Sequence, residues 1–572
     1  MLRITELRLP LNHAEPALRA AVLARLGLKP AQLRDATVFR RAWDARKKSA
    51  IVLIYTVDCT LADGVDESAL LARFAGDHHI RPTPDTGYKF VGHAPADLSA
   101  DLLSGGRPRP VVVGFGPCGI FAALVLAQMG LRPIVLERGK EVRQRTKDTW
   151  GLWRQGVLDP GSNVQFGEGG AGTFSDGKLW SQISDPRHLT RKVLTEFVKA
   201  GAPEEILYVA KPHIGTFRLV GMVEKMRADI EALGGEVRFG QQVTDLLVDG
   251  QGDQRQVRGL VLASGAQLRT DHVVLALGHS ARDTFAMLQQ RGVYLEAKPF
   301  SVGFRIEHPQ GVIDRARFGP SAGHPILGAA DYKLVHHAAN GRAVYSFCMC
   351  PGGTVVAATS EPGRVVTNGM SQYSRNERNA NAGIVVGISP QDYRQTPATG
   401  ANAGPVDPLD GVAFQRQWES RAFELGGGGY RAPGQLVGDF IRGQASSALG
   451  SVEPSYKPGV TPTHLAQKDL PSLPPYVLAA IREALPAFGR QIRGFDMDDA
   501  VLTGVETRTS SPLRITRGRD HQSLNTRGLY PAGEGAGYAG GIMSAGVDGI
   551  EVAESLARAL LGSVVAPALP TS

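Results

Sequence analysis

The chain has 572 residues, of which 42% are hydrophobic and 21% are charged, a composition typical of globular proteins with two or three domains. Four cysteines are too few for a disulfide framework at this length, and no CxxC or HExxH spacing indicates a metal site. The formal net charge of +8 is spread along the chain. It favours a solvated surface that tolerates an anionic ligand over a nucleic-acid-binding surface.

The sequence predicts no membrane span. Its most apolar stretch, residues 120–131, is well short of the ~20 residues that a transmembrane helix needs. The N-terminus carries Arg3 and Glu6 and lacks the continuous apolar region of a signal peptide. We therefore expect a soluble, cytoplasmic protein.

Residues 1–105 predict a small α+β domain. Hydrophobic alternation and helical periodicity indicate, in order, a strand at 2–9, a helix at 15–26, strands at 37–45 and 50–57, and a helix near 66–74. A stretch rich in Pro and Gly at 95–110 is typical of a linker and ends this pattern.

A second pattern begins at Val111 with a strand, a glycine turn, a helix at 117–129 and a strand at 133–137. This order is the βαβ opening of dinucleotide-binding folds. Gly114 permits the tight turn, Gly116 lets a pyrophosphate approach the backbone, and Gly119 lets the helix pack against the strand. An ordinary glycine turn is the alternative interpretation of this motif taken alone.

Glu137 strengthens the nucleotide interpretation because it ends the second strand, 23 positions after Gly114. A carboxylate at this spacing accepts hydrogen bonds from a ribose and disfavours a 2′-phosphate, which leaves FAD or NAD. Arg138 follows it and is either a residue that stacks near the adenine or a plain surface arginine.

Residues 528–543 (GLYPAGEGAGYAGGIM) resemble the second FAD motif of glutathione-reductase-like flavoproteins. The resemblance implies that Gly533 and the acidic residue after it meet the ribityl and pyrophosphate groups of FAD. Glu534 stands where that family usually has Asp. The next helix, from about residue 541, would direct the positive end of its dipole at the flavin ring.

Two further segments resemble parts of the same fold: a return strand at 272–278 and a glycine-rich loop at 167–179, with a strand near residue 243 at the adenine edge. The candidate cofactor-binding residues are therefore Gly114, Gly116, Pro117, Cys118, Gly119, Glu137, Arg138, Gly169, Gly170, Gly172, Thr173, Val243, Leu277, Gly278, Gly533, Glu534, Gly541, Ile542 and Met543.

Residues 108–560 resemble the family of uncharacterised FAD-dependent dehydrogenases, through stretches such as GFGPCGIFAAL at 114, NVQFGEGGAGTFSDGKL at 163 and GEGAGYAGGIMSAGVDG at 533. The resemblance implies an α/β protein whose glutathione-reductase-like FAD-binding Rossmann domain comprises 106–292 and 501–572. An inserted α+β substrate domain would comprise 293–500, after the small N-terminal α+β domain. It also implies an oxidoreductase that holds FAD non-covalently and acts on a small molecule.

No second strand-GxGxxG-helix unit occurs, so NAD(P)H is expected only as a transient electron donor. Arg508 and Arg514, which lie among hydroxyl residues, are candidates for binding an anionic substrate or the flavin carbonyl edge. His279 is a further candidate, although a helix-capping role explains its segment nearly as well. Cys348 and Cys350 are interpreted as buried, inert thiols on one face of a strand.

Two other functions stay open at this point. The basic run at 40–48 (RRAWDARKK) and the positive charge suggest an RNA-directed, tRNA-modifying type of flavoenzyme. A flavin-binding scaffold without turnover is the other alternative. No general acid, substrate identity or oligomeric state follows from the sequence.

Overall fold

A computed structural model of the protein describes residues 1–394 and 405–562. The chain begins with β1 (Leu2–Pro10), α1 (Ala17–Leu26), β2 (Leu33–Asp44), β3 (Val52–Leu61), α2 (Glu67–Ala72) and β4 (Ile80–Pro82). The four strands form an antiparallel sheet in the order β2-β3-β1-β4. Side chains of β3 alternate between buried and half-buried, so one face of this sheet lies against a core. The predicted α+β order is present.

The next elements build the core of a nucleotide-binding fold. They are α3 (Ala96–Ser104), β5 (Val111–Val113), α4 (Pro117–Gln128), β6 (Ile134–Leu136), α5 (Val142–Gln155), α6 (Leu189–Lys199), α7 (Thr216–Ala232) and β7 (Glu236–Arg238). Strands β5, β6 and β7 pair in parallel. Helix α4 is buried at every position from 118 to 127 because it is apolar on all sides.

Three further strands form a separate antiparallel sheet, and a fourth returns to the parallel one. They are β8 (Val243–Asp249), β9 (Gln256–Leu262), β10 (Gln267–Arg269) and β11 (Val273–Leu275). The chain turns at Gly240, whose φ is +65°, between β7 of the parallel sheet and β8 of the antiparallel sheet.

The largest sheet follows. Its segment of the chain contains α8 (Arg282–Gln290), β12 (Leu295–Ala297), β13 (Phe300–Pro309), α9 (Gln310–Phe318), β14 (Val335–His337), β15 (Ala343–Ala357), β16 (Thr367–Ser371), β17 (Asn379–Ile388), α10 (Asp410–Leu425), β18 (Ala432–Leu436), α11 (Val437–Arg442), β19 (Val460–Pro462), α12 (Pro475–Gln491) and β20 (Val501–Glu506). The strand order is β14-β15-β17-β13-β20-β18-β19, with β16 paired to β15.

The chain ends with β21 (Leu513–Ile515), β22 (Leu529–Pro531) and α13 (Ile542–Leu561). Strand β22 pairs in parallel with β11, which completes a five-stranded parallel sheet in the order β22-β11-β5-β6-β7. This sheet with helices on its faces confirms the predicted Rossmann-type α/β fold.

The predicted domain boundaries stay a prediction, and the structure shows which elements pack together near two of them. Strand β20 lies beyond the boundary predicted at residue 500, yet it pairs with β13 and β18 of the largest sheet. The chain therefore rejoins the parallel sheet only at β22. At the other boundary, Leu98 and Leu102 of α3 belong to the same apolar core as α4, so α3 packs on the nucleotide-binding layer.

Three apolar cores stabilise the described residues. One joins the N-terminal sheet to the largest sheet, a second surrounds α4 and α13, and a third lies on the other face of the parallel sheet. Within residues 1–394 and 405–562, no helix has the length and apolarity that a membrane crossing requires.

Candidate functional site

The glycine turn between β5 and α4 has the geometry that the motif predicts. Gly114 has φ +100°, and a Cβ there would lie 2.3 Å from the carbonyl oxygen of Ala276. A Cβ at Gly119 would lie 1.9 Å from the carbonyl oxygen of Gly114. Larger residues at either position would push the helix away from the strand, so these glycines fix the start of α4.

A cavity opens at this turn, at the carboxyl end of the parallel strands, and encloses about 1010 Å³ of space free of protein atoms, part of it open to solvent. Its walls include these predicted residues: Gly114, Gly116, Pro117, Cys118, Glu137, Arg138, Gly170, Gly172, Val243, Leu277, Gly278, His279, Gly533, Glu534, Gly541 and Ile542. The fold thus brings together predicted residues from six separate segments of the chain.

Four predicted cofactor residues do not line this cavity: Gly119, Gly169, Thr173 and Met543. Gly169 and Thr173 belong to the glycine-rich loop and line a small separate apolar cavity near Val223. Met543 is buried in the core around α4. That these four contact the cofactor stays a prediction; in the structure they pack behind the loop and the helices that form the wall.

Glu137 is buried and accepts three backbone hydrogen bonds, from the N–H groups of Phe115, Gly139 and Gly167 at 2.8 to 2.9 Å. A carboxylate offers about four acceptor positions, so about one is left for a ribose hydroxyl. Its observed contacts hold the loops around the cavity in place.

Arg138 forms a flat wall at the end of the cavity near Val243. Its guanidinium carbon lies 4.1 Å from the centroid of the Phe166 ring, and Nη1 donates to Asp283 Oδ1 at 2.9 Å. Gln242 donates to the other Asp283 oxygen at 2.7 Å. A planar group bound at this end would meet a guanidinium that is already fixed by stacking and an ion pair.

Glu534 differs from Glu137 in that its carboxylate accepts no hydrogen bond from the described residues, although it faces the cavity. Burial raises the pKa of Glu534 to about 8, and the nearby Lys298 opposes this increase. An acceptor without a protein partner in a cavity is suited to a ligand that carries hydroxyl groups.

Lys298 was not predicted from the sequence. It follows β12 directly, and its Nζ lies 3.5 Å from Ser510 Oγ. Burial lowers the pKa of Lys298, whereas the nearby Glu534 raises it. A single lysine between β12 and β13 forms no sequence motif, so only the tertiary structure shows that it lies beside the cavity.

His279 lines the cavity with its Nδ1 3.0 Å from Ser280 Oγ. Burial, followed by the charges of Arg508 and Arg282, lowers the pKa of His279 to about 3. The imidazole is therefore neutral near pH 7.

Arg508 and Arg514, predicted to bind an anionic substrate or the flavin carbonyl edge, do not line the cavity. Arg508 is buried and ion-paired to both oxygens of Glu419, at 3.0 and 2.9 Å, and Nη1 donates to Ser360 at 2.7 Å. The positive charge of Arg508 is therefore paired with Glu419 inside the protein. Arg514 lies on β21 with its guanidinium 5.4 Å from the centroid of the Tyr538 ring.

The cysteines differ from the expectation in one respect. Cys350 is buried, but Cys348 is exposed because irregular pairing between Phe347 and Cys350 bends β15, and Cys348 has φ +45°. Cys118 lines the cavity at the start of α4, and burial raises the pKa of its thiol well above the ordinary value.

Comparison with known proteins identifies relatives of the chain. Residues 299–509 match the family described as "FAD-dependent protein, C-terminal domain-like", and residues 1–60 match a domain of unknown function, DUF8436. An "Uncharacterized protein" of Clostridium beijerinckii is 44% identical over 557 residues, which cover 97% of this chain and 98% of that protein. The chain belongs to the uncharacterised FAD-dependent oxidoreductase family.

Solved structures of FAD enzymes are similar to this family member only at a distance. Glycine oxidase from Geobacillus kaustophilus is 12% identical, with coverage of 79% of this chain and 95% of that chain and a TM-score of 0.33. L-proline dehydrogenase from P. horikoshii is 13% identical, with coverage of 79% and 94% and a TM-score of 0.32. The halogenase PltM in complex with phloroglucinol and FAD is 12% identical, with coverage of 80% and 70% and a TM-score of 0.35. At these scores the similarity carries no argument about the reaction.

The residues of the cavity fit the cofactor of this family. Helices α4 and α13 both begin at the cavity, and neither has a side-chain cap on its first N–H groups. Uncapped helix N-termini bind phosphate and stabilise negative charge on a ring. Together with the unpartnered carboxylate of Glu534, they provide groups for the anionic and the hydroxyl-bearing parts of FAD.

Proposed function

We propose that the protein binds FAD non-covalently in this cavity and is an oxidoreductase that acts on a small molecule. The observation that carries the proposal is that two uncapped helix N-termini and the free carboxylate of Glu534 meet in one cavity. Bound FAD supplies hydride and electron transfer, and the protein supplies orientation and charge.

The arrangement assigns roles to the ends of the cavity. The start of α4 and Gly116 hold the pyrophosphate, while Arg138 and Val243 bound the adenine end. Glu534 accepts from ribityl hydroxyls, and the start of α13 places positive potential beside the flavin ring. The Cys118 thiol at α4 stays protonated because burial raises its pKa, which supports non-covalent binding.

The RNA-directed alternative receives no support from the basic run at 40–48. Arg46 forms an ion pair with Asp44 at 2.5 Å, and the Arg41 guanidinium lies 5.3 Å from the centroid of the Tyr208 ring. The side chain of Lys48 lies against Gly319. These cations serve contacts within the N-terminal sheet and between it and the rest of the protein.

The first experiment measures the cofactor. We expect the purified protein to show a flavin absorbance band at about 450 nm. After heat denaturation, we expect FAD to be found in the supernatant. Glu534→Gln should weaken FAD binding about three- to tenfold, because an amide group that only donates replaces one carboxyl oxygen, and one neutral hydrogen bond contributes about 0.5–1.5 kcal/mol. Glu231→Gln, at an exposed position of α7, is the control and should bind FAD as the wild type does.

A colourless protein that does not take up added FAD would refute the proposal. Anaerobic addition of NADH or NADPH to the FAD-loaded protein then tests the donor. Loss of the flavin band identifies a nicotinamide-dependent enzyme, whereas an unchanged band indicates a scaffold, or an enzyme whose electrons come from the substrate itself or a protein partner. Steady-state turnover with added donors and acceptors then separates an enzyme from a scaffold, because a scaffold shows no turnover with any pair of them.

A further inference from the structure

A second cleft adjoins the cofactor cavity. Its walls come from β13, β15 and β17 of the largest sheet and from the segment after β20, and they include Phe300, Ser301, Tyr345, Phe347, Ile388, Ser389, Thr509, Ser510 and Gly540. Gly540 lines this cleft and Gly541 lines the cofactor cavity. Adjacent Cα atoms are about 3.8 Å apart, so the two spaces meet where α13 begins, at the end assigned to the flavin ring.

Two hydroxyl groups on the sheet side of the cleft share one hydrogen bond. Ser301 Oγ and Tyr345 OH lie 2.5 Å apart. The pair has two hydroxyl protons, and their mutual bond uses one of them. The other proton has no acceptor among the described residues, so the pair offers one hydrogen bond to a ligand.

Ser510 offers a second donor on another wall. Its Oγ lies 3.5 Å from the ammonium group of Lys298, which can only donate, so the Ser510 proton stays available. The remaining hydroxyls are occupied: Thr509 donates to the carbonyl oxygen of Ser301 at 3.0 Å, and Ser389 donates to Asp392 at 2.8 Å.

The charges that line the cleft disfavour two classes of ligand. Among the described residues no Asp or Glu lines it, so it offers no partner to a cationic amine. Arg342 lines it but is paired with both oxygens of Asp392, at 2.7 and 2.5 Å, and so does not offer a free cation to a carboxylate. The half-buried rings of Tyr345 and Phe347 on the walls favour a flat ring.

We propose that this cleft is the substrate site and that its ligand is a neutral, planar carbonyl compound of the quinone class. Ser510 and the Ser301–Tyr345 pair donate hydrogen bonds to the carbonyl oxygens, and the aromatic walls contact the ring. This inference rests on the proposed function, because it places the ligand beside the flavin end of the FAD cavity.

The test is calorimetric titration of the purified full-length protein with menadione, a naphthoquinone. We expect saturable binding of menadione and at least tenfold weaker binding of both 2-methylnaphthalene, which lacks the carbonyls, and benzylamine. Ser510→Ala and the double variant Ser301→Ala/Tyr345→Phe should each weaken menadione binding about three- to tenfold, which corresponds to one neutral hydrogen bond. The matched controls Ser374→Ala and Tyr430→Phe, outside the cleft, should bind as the wild type does.

The unfolding temperature of each variant separates loss of binding from loss of fold. A menadione-soaked crystal of the wild type shows where the ligand binds. Absent menadione binding, equal binding of 2-methylnaphthalene, or unchanged binding by both folded cleft variants would overturn the inference. FAD content, read from the flavin band of the same samples, decides the proposed function separately. A protein that holds FAD but binds no quinone refutes only the substrate site. A protein that binds menadione but never FAD refutes the proposed function, and with it the role of the cleft as a substrate site.

Discussion

At the scale of single residues, the carboxylates around the cofactor cavity divide into two kinds. The carboxylate of Glu137 accepts hydrogen bonds from three backbone N–H groups and so holds the surrounding loops in place. Glu534 has no such donors among the described residues, and burial raises its pKa to about 8. Ionisation of this carboxyl group therefore costs stability in the folded protein unless a ligand donates hydrogen bonds to it.

This difference predicts a pH dependence for the FAD-free protein. The pKa of Glu534 in the folded state, about 8, lies above its ordinary value of 4.5, so between these values the folded state binds more protons than the unfolded state. The contribution of Glu534 to the free energy of unfolding should therefore decrease as the pH rises from about 5 to about 8. Glu534→Gln removes this contribution.

Urea unfolding of FAD-free protein across this pH range measures the effect. The Glu534→Gln variant should lose less stability with rising pH than the wild type, and Glu231→Gln should keep the wild-type slope. Parallel slopes for wild type and Glu534→Gln would contradict the predicted proton uptake.

At the scale of elements, the cavity depends on how closely α13 packs against α4. A Cβ at Gly549 of α13 would lie 2.3 Å from the carbonyl oxygen of Cys118 in the first turn of α4. Gly549→Ala must therefore move the start of α4, where we place the pyrophosphate. We expect a loss of about 1–3 kcal/mol in stability and a clear loss of bound FAD, measured by urea unfolding and by the flavin band.

Gly221 of α7 provides the matched control, because a Cβ there meets no atom within 4 Å. Gly221→Ala should leave FAD content unchanged and stabilise the helix by up to about 1 kcal/mol. Full FAD retention in Gly549→Ala would show that the helix packing does not set the cofactor site.

The sequence predicts the elements whose signals are local. The strand–glycine–helix turn at Gly114 and the helix that follows Gly541 are confirmed as elements of the α/β fold, since glycine spacing and apolar periodicity are readable over a few residues. Lys298 and Glu534 are more than two hundred positions apart in the sequence, so no local pattern indicates that they are neighbours. The bend that exposes Cys348 depends on the register between β15 and β17, which alternation alone does not specify.

At the scale of the whole molecule, one buried ion cluster connects its layers. Glu419 of α10 accepts from Arg282 of α8 at 2.6 and 2.9 Å and from Arg508, after β20, at 3.0 and 2.9 Å. Burial raises the pKa of Glu419, but the two guanidinium groups outweigh it and hold this pKa well below the usual range. The cluster therefore joins the helix that follows β11 of the parallel sheet to the segment that leaves the largest sheet.

Glu419→Gln should be strongly destabilising because it leaves the buried guanidinium group of Arg508 without a carboxylate in contact, while Arg282 keeps Glu361 at 2.6 Å. We expect a loss of about 3–5 kcal/mol in the free energy of unfolding, measured with urea at neutral pH. Glu424→Gln on the same helix removes an exposed partner 3.7 Å from Arg421 and should change stability by less than about 0.5 kcal/mol. Similar losses in the two variants would show that the cluster is not what connects the layers.

The order of strands in the parallel sheet also determines when its parts become available during synthesis on the ribosome. Strand β5 and helix α4 are made early, but β22 and α13, which complete the sheet and cover α4, lie near the end of the chain. At roughly 5–20 residues per second, α4 leaves the ribosome some 20–80 s before α13 does. During that time the apolar helix α4 lacks the cover of α13, so an apolar surface is exposed on the nascent chain at the segment where we place the pyrophosphate.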